Sequence, residues 1–408
     1  MPSKFFIETV GCQMNVLDSE LACSALLRAG WERVERPTDA DVVLFNTCSV
    51  RQHAEEKVYS ALGRLRGWKE EKPERLLGIL GCMAQKEQKT IFRRAPHVDF
   101  VLGPGRLDSL LETINRLFVG SPRSARTICT SLHRTTNSPA EVLESFRLYN
   151  PDRTIPKDQT ESLVRIMFGC DQFCSYCVVP FVRGPEQCRS PQDILREVQS
   201  LAEQGVTRII FIGQTVNSYR YQELGKQTRL ADLLYRTADI AGVEQIDFVT
   251  NYPLGMDDDL LQAVRDLPRV SKHLHVPAQS GSDAVLSRMN RRYTAAQYRE
   301  MTDRIYATIP GATMTSDFIV GFCGETDEDF ERSVSLVEHC QFRNSFIFKY
   351  SERSGTRAAE LYADDVPEDV KKYRNNRLLE VQIEISRQLA QGDQGLAKPK
   401  IKSASSAS

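Results

Sequence analysis

Residues 163–177 read LVRIMFGCDQFCSYC. Leu163–Phe168 is apolar apart from Arg165 and predicts a buried strand. Gly169 ends it, and Cys170, Cys174 and Cys177 follow in one short loop. Cysteine spacings of four and three can wrap three thiolates around a single cubane iron–sulfur cluster. Such a cluster has four irons, so one keeps no protein ligand and stays open to a small chelator. Zinc is the competing occupant. A structural zinc site wants four ligands, and no cysteine or histidine nearby has zinc-finger spacing. His273 and His275 fall on a predicted strand far downstream. Plain buried thiols are the remaining alternative, but three in one loop after a strand have little packing reason to be cysteine.

Outward from this loop, strand and helix patterns alternate. Downstream strands are predicted at Thr207–Gly213, Gln245–Asn251, Lys272–Pro277, Thr313–Phe322 and Asn344–Ser351. Helices are predicted at Pro191–Gln204, Arg229–Ile240, Asp257–Asp266, Thr294–Ile309, Asp327–Cys340 and about Pro367–Leu389. Ser190-Pro191 is a strong helix start, a capping hydroxyl followed by proline at the first helical position. Six β–α units suit a partial (β/α)6 barrel over residues 161–390, related to the eight-unit barrel. Upstream, strands at Lys4–Val10, Asp41–Asn46, Leu76–Leu80 and Val98–Leu102 alternate with helices at Ser19–Ala29, Ala54–Leu65, Gln85–Arg94 and Leu107–Leu117. These four units predict an N-terminal open parallel α/β sheet domain over residues 1–120. Residues 121–160 carry turn chemistry and read as a linker with a short helix at Ala140–Leu148. Residues 391–408 are polar and read as a disordered tail.

The chain has 408 residues, 41% of them hydrophobic, enough for two or three domains. Lys and Arg total 53 against 54 Asp and Glu, a net charge of −1 that neither demands nor excludes a nucleic-acid partner. No apolar run of about 18 residues exists to span a membrane, and no secretory signal precedes the first strand. A cytoplasmic protein is expected. There the odd count of 11 cysteines argues against a disulfide framework.

Cys12, Cys48 and Cys82 each follow a predicted strand and precede a helix. The carboxyl ends of parallel strands share one edge, where α/β proteins bind ligands. Three cysteines on three successive strand ends can converge and make a case for a second three-thiolate cluster, again with one open iron. Cys23, Cys129, Cys188, Cys323 and Cys340 read as ordinary buried thiols, with Cys188 and Cys323 close enough in sequence to the chemistry to be spare ligands. Arg183, Arg291 and Arg292 read evenly as anion contacts or as solvated and paired residues. Asp327-Glu328-Asp329 reads as a helix N-terminus. Lys371-Lys372-Tyr373-Arg374 reads as a solvated helix face rather than an RNA site.

The loop, with Tyr176 before its third cysteine, resembles the radical S-adenosylmethionine (SAM) signature. Its continuation Val178–Glu186 is similar to the methylthiotransferases. So are Gly213-Gln214-Thr215-Val216-Asn217, Val276–Asp283 and Ser316–Phe322. Gly11-Cys12-Gln13-Met14-Asn15, Asn46–Arg51 and Ala54–Val58 resemble the MiaB type in particular, and the likeness runs from about residue 3 to 388.

The resemblance implies a sulfur-transferring enzyme of tRNA modification. It would convert N6-isopentenyladenosine beside the anticodon to its 2-methylthio derivative. It implies two [4Fe–4S] clusters, one on Cys170, Cys174 and Cys177 and one on Cys12, Cys48 and Cys82, together with SAM. SAM contacts are expected from Tyr176, Gln214, Gln279, Ser280 and Asp317. The implied partners are that tRNA and an electron donor such as flavodoxin or ferredoxin, with a monomeric protein and no membrane. Relatives usually end in a small β-barrel (TRAM) domain, and no strand pattern for one follows the last helix, so weaker, salt-dependent tRNA binding is expected. The alternatives are a methylthiotransferase for threonylcarbamoyl-adenosine or a ribosomal-protein aspartate, and a non-catalytic iron–sulfur regulator.

Overall fold

The computed structural model describes residues 3–49, 52–119, 126–132, 153, 155–156, 158–223 and 225–392. The possible helix at Ala140–Leu148 and the tail from residue 393 lie outside the described residues. Two compact units are present, residues 1–271 with 353–357, and residues 272–352 with 358–408.

The first unit opens with a six-stranded sheet, β1 (Lys4–Val10), β2 (Glu32–Arg33), β3 (Val42–Thr47), β4 (Leu76–Leu80), β5 (Phe100–Leu102) and β6 (Thr127–Cys129). The order is β2-β1-β3-β4-β5-β6 and every ladder is parallel. Alternate residues of β3 feed the two faces. Val43 and Phe45 pack with Val58, Leu62, Trp68 and Ile91 on one side. Val42 and Leu44 pack with Leu26, Leu110 and Ile114 on the other. Gly78 in β4 is required, because a Cβ there would stand 2.2 Å from the Phe100 ring. Two strands of this sheet escaped the sequence reading, the two-residue β2 and the three-residue β6. Both are too short for periodicity to reveal.

The same unit continues with β7 (Glu161–Arg165), β8 (Met167–Phe168), β9 (Gln187–Cys188), β10 (Arg208–Ile212), the hairpin β11 (Arg220–Glu223) and β12 (Lys226–Arg229), and β13 (Gln245–Phe248). The ladder β13-β10-β7 is parallel. The strand expected over Leu163–Phe168 is broken at Ile166. Met167 and Phe168 leave the ladder to pair antiparallel with Cys188 and Gln187. That small ladder clasps the base of the cysteine loop. The helix Gln13–Arg28 is buried on two sides, and its Met14, Leu17 and Leu21 pack on Leu163, Ile210 and Ile212.

The second unit holds the parallel ladder β14 (His273–His275), β15 (Thr313–Val320) and β16 (Asn344–Lys349). The chain therefore has the six β–α units expected, three strands in each of two parallel ladders, and no closed barrel among the described residues. Asp327–Cys340 starts as read, with Thr326 accepting from the Asp329 amide at 3.1 Å. The basic run on Glu368–Gly392 is a correction. Lys371 and Arg374 are buried rather than solvated, paired with Asp364 and with Glu325 and Asp327. The cause is Gly321, at φ 69°, whose missing Cβ makes room for the Lys371 stem.

Candidate iron–sulfur and SAM sites

In the order β2-β1-β3-β4 the chain reverses direction of winding between β1 and β3. Ligands of open α/β sheets bind outside the carboxyl ends of the strands at such a reversal. Cys12 follows β1 and Cys48 follows β3, so the two flank it; Cys82 follows β4, the next strand over. Cys12 is the cap of helix Gln13–Arg28, and Cys82 begins helix Cys82–Glu87. The two turns are held from below by buried amides. Asn46 Nδ2 donates to Asn15 O at 2.9 Å and to Ser19 Oγ at 3.0 Å, and Asn15 Nδ2 returns a bond to Asn46 Oδ1 at 3.0 Å. Glycines keep the turns tight. A Cβ on Gly11 would lie 3.0 Å from Cys48 Cβ, and one on Gly81, at φ +87°, would strike Asn46 Oδ1 at 2.3 Å.

Cys48 and Cys82 are buried while Cys12 is exposed. A hydrogen bond from Cys48 lowers the Cys12 thiol to about 5, against desolvation and with help from the Arg183 charge and the amides of Asn15 and Met14. Burial raises Cys82, opposed by Arg183, and the charge of Cys12 adds to the rise. Cys12 is thus linked to Cys48 by a hydrogen bond and to Cys82 through its charge. Soft thiolate donors of this kind suit iron–sulfur clusters and zinc. Among the described residues no three His, Cys, Asp or Glu side chains close around a single metal ion.

Beneath the thiols is a group that sequence reasoning missed. Asp18 is fully buried and accepts from Arg165 Nη2 and, at 3.0 Å, from Arg183 Nη2. Of the two readings of Arg183, pairing with an acid is the one found here, although the arginine is buried rather than solvated. Only Asp18's place in the apolar stripe Met14, Leu17, Leu21 hinted that a buried partner was needed.

The second cysteine set lies in the loop between β8 and helix Val179–Arg183. Gly169, at φ +78°, allows the loop to turn back: a Cβ there would stand 2.0 Å from Pro185 O. Cys170 N donates to Gly184 O at 3.1 Å, Glu186 N donates to Asp171 Oδ1 at 3.1 Å, and Cys177 N donates to Cys174 O at 3.0 Å. Cys170, Cys174 and Cys177 are all half-buried. Burial pushes Cys170 up to about 11, and the neighbouring Cys174 adds to the rise. Glu186 is held by Ser218 Oγ at 2.8 Å and Thr215 Oγ1 at 3.4 Å, and burial raises it.

Of the expected SAM contacts, Tyr176 is half-buried inside this loop, and Gln214 lies just past β10 with Oε1 buried and unpartnered among the described residues. Gln279, Ser280 and Asp317 belong to the other unit. There Gln279 N donates to Asp317 O at 2.8 Å, with Gln279 at φ 69°. Asp317 Oδ2 is 3.5 Å from His275 Nε2. The Ser280 hydroxyl is buried, 3.3 Å from Ser333 Oγ. Cys188 is half-buried and accepts from Arg220 N at 3.4 Å, while Cys323 is buried beside Tyr350.

A three-cysteine loop clasped after the first strand of a six-unit β/α array defines a radical SAM protein, here preceded by a parallel-sheet domain with its own three thiols. Residues 164–337 match the radical SAM superfamily, and residues 4–103 match a family described as uncharacterized protein family UPF0004. A tRNA-2-methylthio-N(6)-dimethylallyladenosine synthase of Rhodopirellula baltica is 53% identical over 390 residues, covering 95% of this chain and 81% of that protein. The protein of the same name from Syntrophomonas wolfei is 41% identical over 394 residues, covering 97% and 85%. The chain belongs to the family of tRNA-2-methylthio-N(6)-dimethylallyladenosine synthases. In fold it is similar to a radical SAM methyltransferase, TsrM, of Kitasatospora setae, with TM-score 0.60, 14% identity, and 88% and 77% of the two chains covered. No helix among the described residues is long and apolar enough to cross a membrane.

Proposed function

We propose that the protein methylthiolates N6-dimethylallyladenosine (isopentenyladenosine) in tRNA at carbon 2, as an enzyme that transfers a sulfur-containing group. Cys170, Cys174 and Cys177 would hold one [4Fe–4S] cluster and Cys12, Cys48 and Cys82 a second, with residues 1–120 and 161–390 as the two functional parts. When bound, the clusters and SAM supply the electron, the hydrogen-abstracting radical and the transferred sulfur. The chain supplies place and protection. Loop 169–186 folds back on its own carbonyls and holds the Cys170 thiol half-buried. Asn15 and Asn46 fix the two turns that carry Cys12 and Cys48. Tyr176, Gln214, Gln279, Ser280 and Asp317 are the proposed SAM contacts, and the orphaned Gln214 oxygen is suited to a hydrogen-bond donor on that ligand. The partners on this reading are tRNA and a one-electron donor of the flavodoxin or ferredoxin kind, met by a monomer in the cytoplasm.

What supports the reading most is a second set of three cysteines, each at the carboxyl end of a strand of one parallel sheet, on the same chain as the loop cysteines. Anaerobic protein should carry about eight irons per chain, as two cubanes require. It should release 5′-deoxyadenosine on reduction and form methylthio-dimethylallyladenosine in tRNA. Stoichiometric zinc with no SAM cleavage would remove the enzyme reading. SAM cleavage with an unmodified tRNA would move the substrate elsewhere.

A further inference from the structure

Arg183 closes the short helix Val179–Arg183, which begins two residues after Cys177. It is buried, and its charge lies against thiols of the other cysteine set. Nη2 is used by Asp18 at 3.0 Å. Nη1 is buried and has no hydrogen-bond partner among the described residues. An orphaned charged donor in a protein interior is costly unless something accepts from it. The local charge is also uneven, because Asp18 is one carboxylate between the guanidiniums of Arg165 and Arg183. One positive charge is left over, and the sulfurs of Cys12 and Cys82 are the groups that face it. A doubly positive cubane held by three thiolates carries one negative charge.

We propose that Arg183 positions and charge-balances the cluster of Cys12, Cys48 and Cys82, with Nη1 donating to one of that assembly's sulfurs. This rests on the cluster assignment made above. It gives the arginine two tasks. Through Gly184, whose carbonyl accepts from Cys170 N, its helix also anchors the loop of the first cysteine set. Val178 and Val182 pack directly on Cys82. Hydrogen bonds to cluster sulfurs and nearby positive charge raise a cluster's reduction potential.

The test uses the full chain, reconstituted anaerobically, with Arg183→Met and Arg183→Lys each placed in a Cys170→Ala/Cys174→Ala/Cys177→Ala background that leaves one cluster. Iron is counted, and the midpoint potential is read by electron paramagnetic resonance during a redox titration. Arg183→Met should shift the potential negative, with Arg183→Lys, which keeps the charge, lying between it and the parent. Loss of iron in Arg183→Met but not in Arg183→Lys would support the proposal equally. An unshifted potential at full iron in Arg183→Met would overturn it. So would equal iron loss in both variants together with equally lowered unfolding midpoints, which would mark a purely structural arginine. A parent background that binds no iron at all would instead sink the cluster assignment, and this proposal with it.

Discussion

Replacing Asp18 by Asn removes one negative charge and almost no volume from a fully buried site. Two guanidiniums lose their counter-charge, since Arg165 and Arg183 both donate to this carboxylate. Breaking a buried ion pair from one side costs about 3–5 kcal/mol. The Asn oxygen still accepts one hydrogen bond, which places the expected loss at about 3 kcal/mol, roughly 100-fold in the unfolding equilibrium. The chain's two tryptophans, Trp31 and Trp68, both lie in the parallel-sheet part of the unit that holds Asp18. Tryptophan fluorescence in a urea titration of cluster-free protein therefore reads this region directly. The companion variant Asp18→Leu/Arg165→Met/Arg183→Met removes all three charges and should be less destabilised than Asp18→Asn, because uncompensated charge rather than lost pairing sets the cost. An Asp18→Asn variant within about 0.5 kcal/mol of the parent, the range of ordinary surface substitutions, would refute the reasoning.

Gly169→Ala drives a Cβ into Pro185 O at a positive φ, so it should cost the protein about half its iron, four of roughly eight atoms; full iron content would show that the loop relaxes freely. Asn46→Ala strands the buried Asn15 amide and should destabilise by about 1–3 kcal/mol in the same fluorescence titration. In cluster-free protein Cys12, lowered to about 5, is already thiolate at neutral pH, whereas Cys170, raised to about 11, is not. Iodoacetamide labelling mapped by mass spectrometry should therefore level off for Cys12 above about pH 6 and keep rising for Cys170. A Cys12 rate that climbs through pH 8–9 like a free thiol would contradict the Cys48 hydrogen bond.

The strand-end cysteines were legible because each sits where an apolar run stops and a helix starts, a local signal. The helix after Cys12 was read six residues short, starting at Ser19 rather than Gln13. Its first turns carry Gln13, Asn15 and Asp18, and these polar residues interrupt the apolar period. Asn15 and Asp18 are buried all the same, because the helix is covered on two sides and these groups are paired with Asn46, Arg165 and Arg183. Those partners are 31, 147 and 165 residues away. No spacing rule reaches across such distances, so the ion triad was invisible, and Arg183 looked like any arginine after a loop. Lys371 and Arg374 were misread for the same reason, since charge in a helix normally means solvent unless a distant glycine makes room.

The triad also explains why the two cysteine sets are encoded on one unit. The strand order turns Cys12 and Cys48 toward the same crevice, but it leaves Cys82 and helix Cys82–Glu87 one strand away. What packs there is Val178 and Val182, from the helix that follows the loop of Cys170, Cys174 and Cys177. Helix Gln13–Arg28 meanwhile rests on β7 and β10, the strands from which that loop springs. Each cysteine set is thus braced by an element that begins at the other, and Asp18 locks the brace by holding Arg165 from β7 and Arg183 from the loop helix at one carboxylate. A chemistry that draws on both sets needs their spacing fixed far more closely than a flexible linker allows. A buried, hydrogen-bonded ion triad is costly to desolvate but stiff once formed, which is the property that spacing requires.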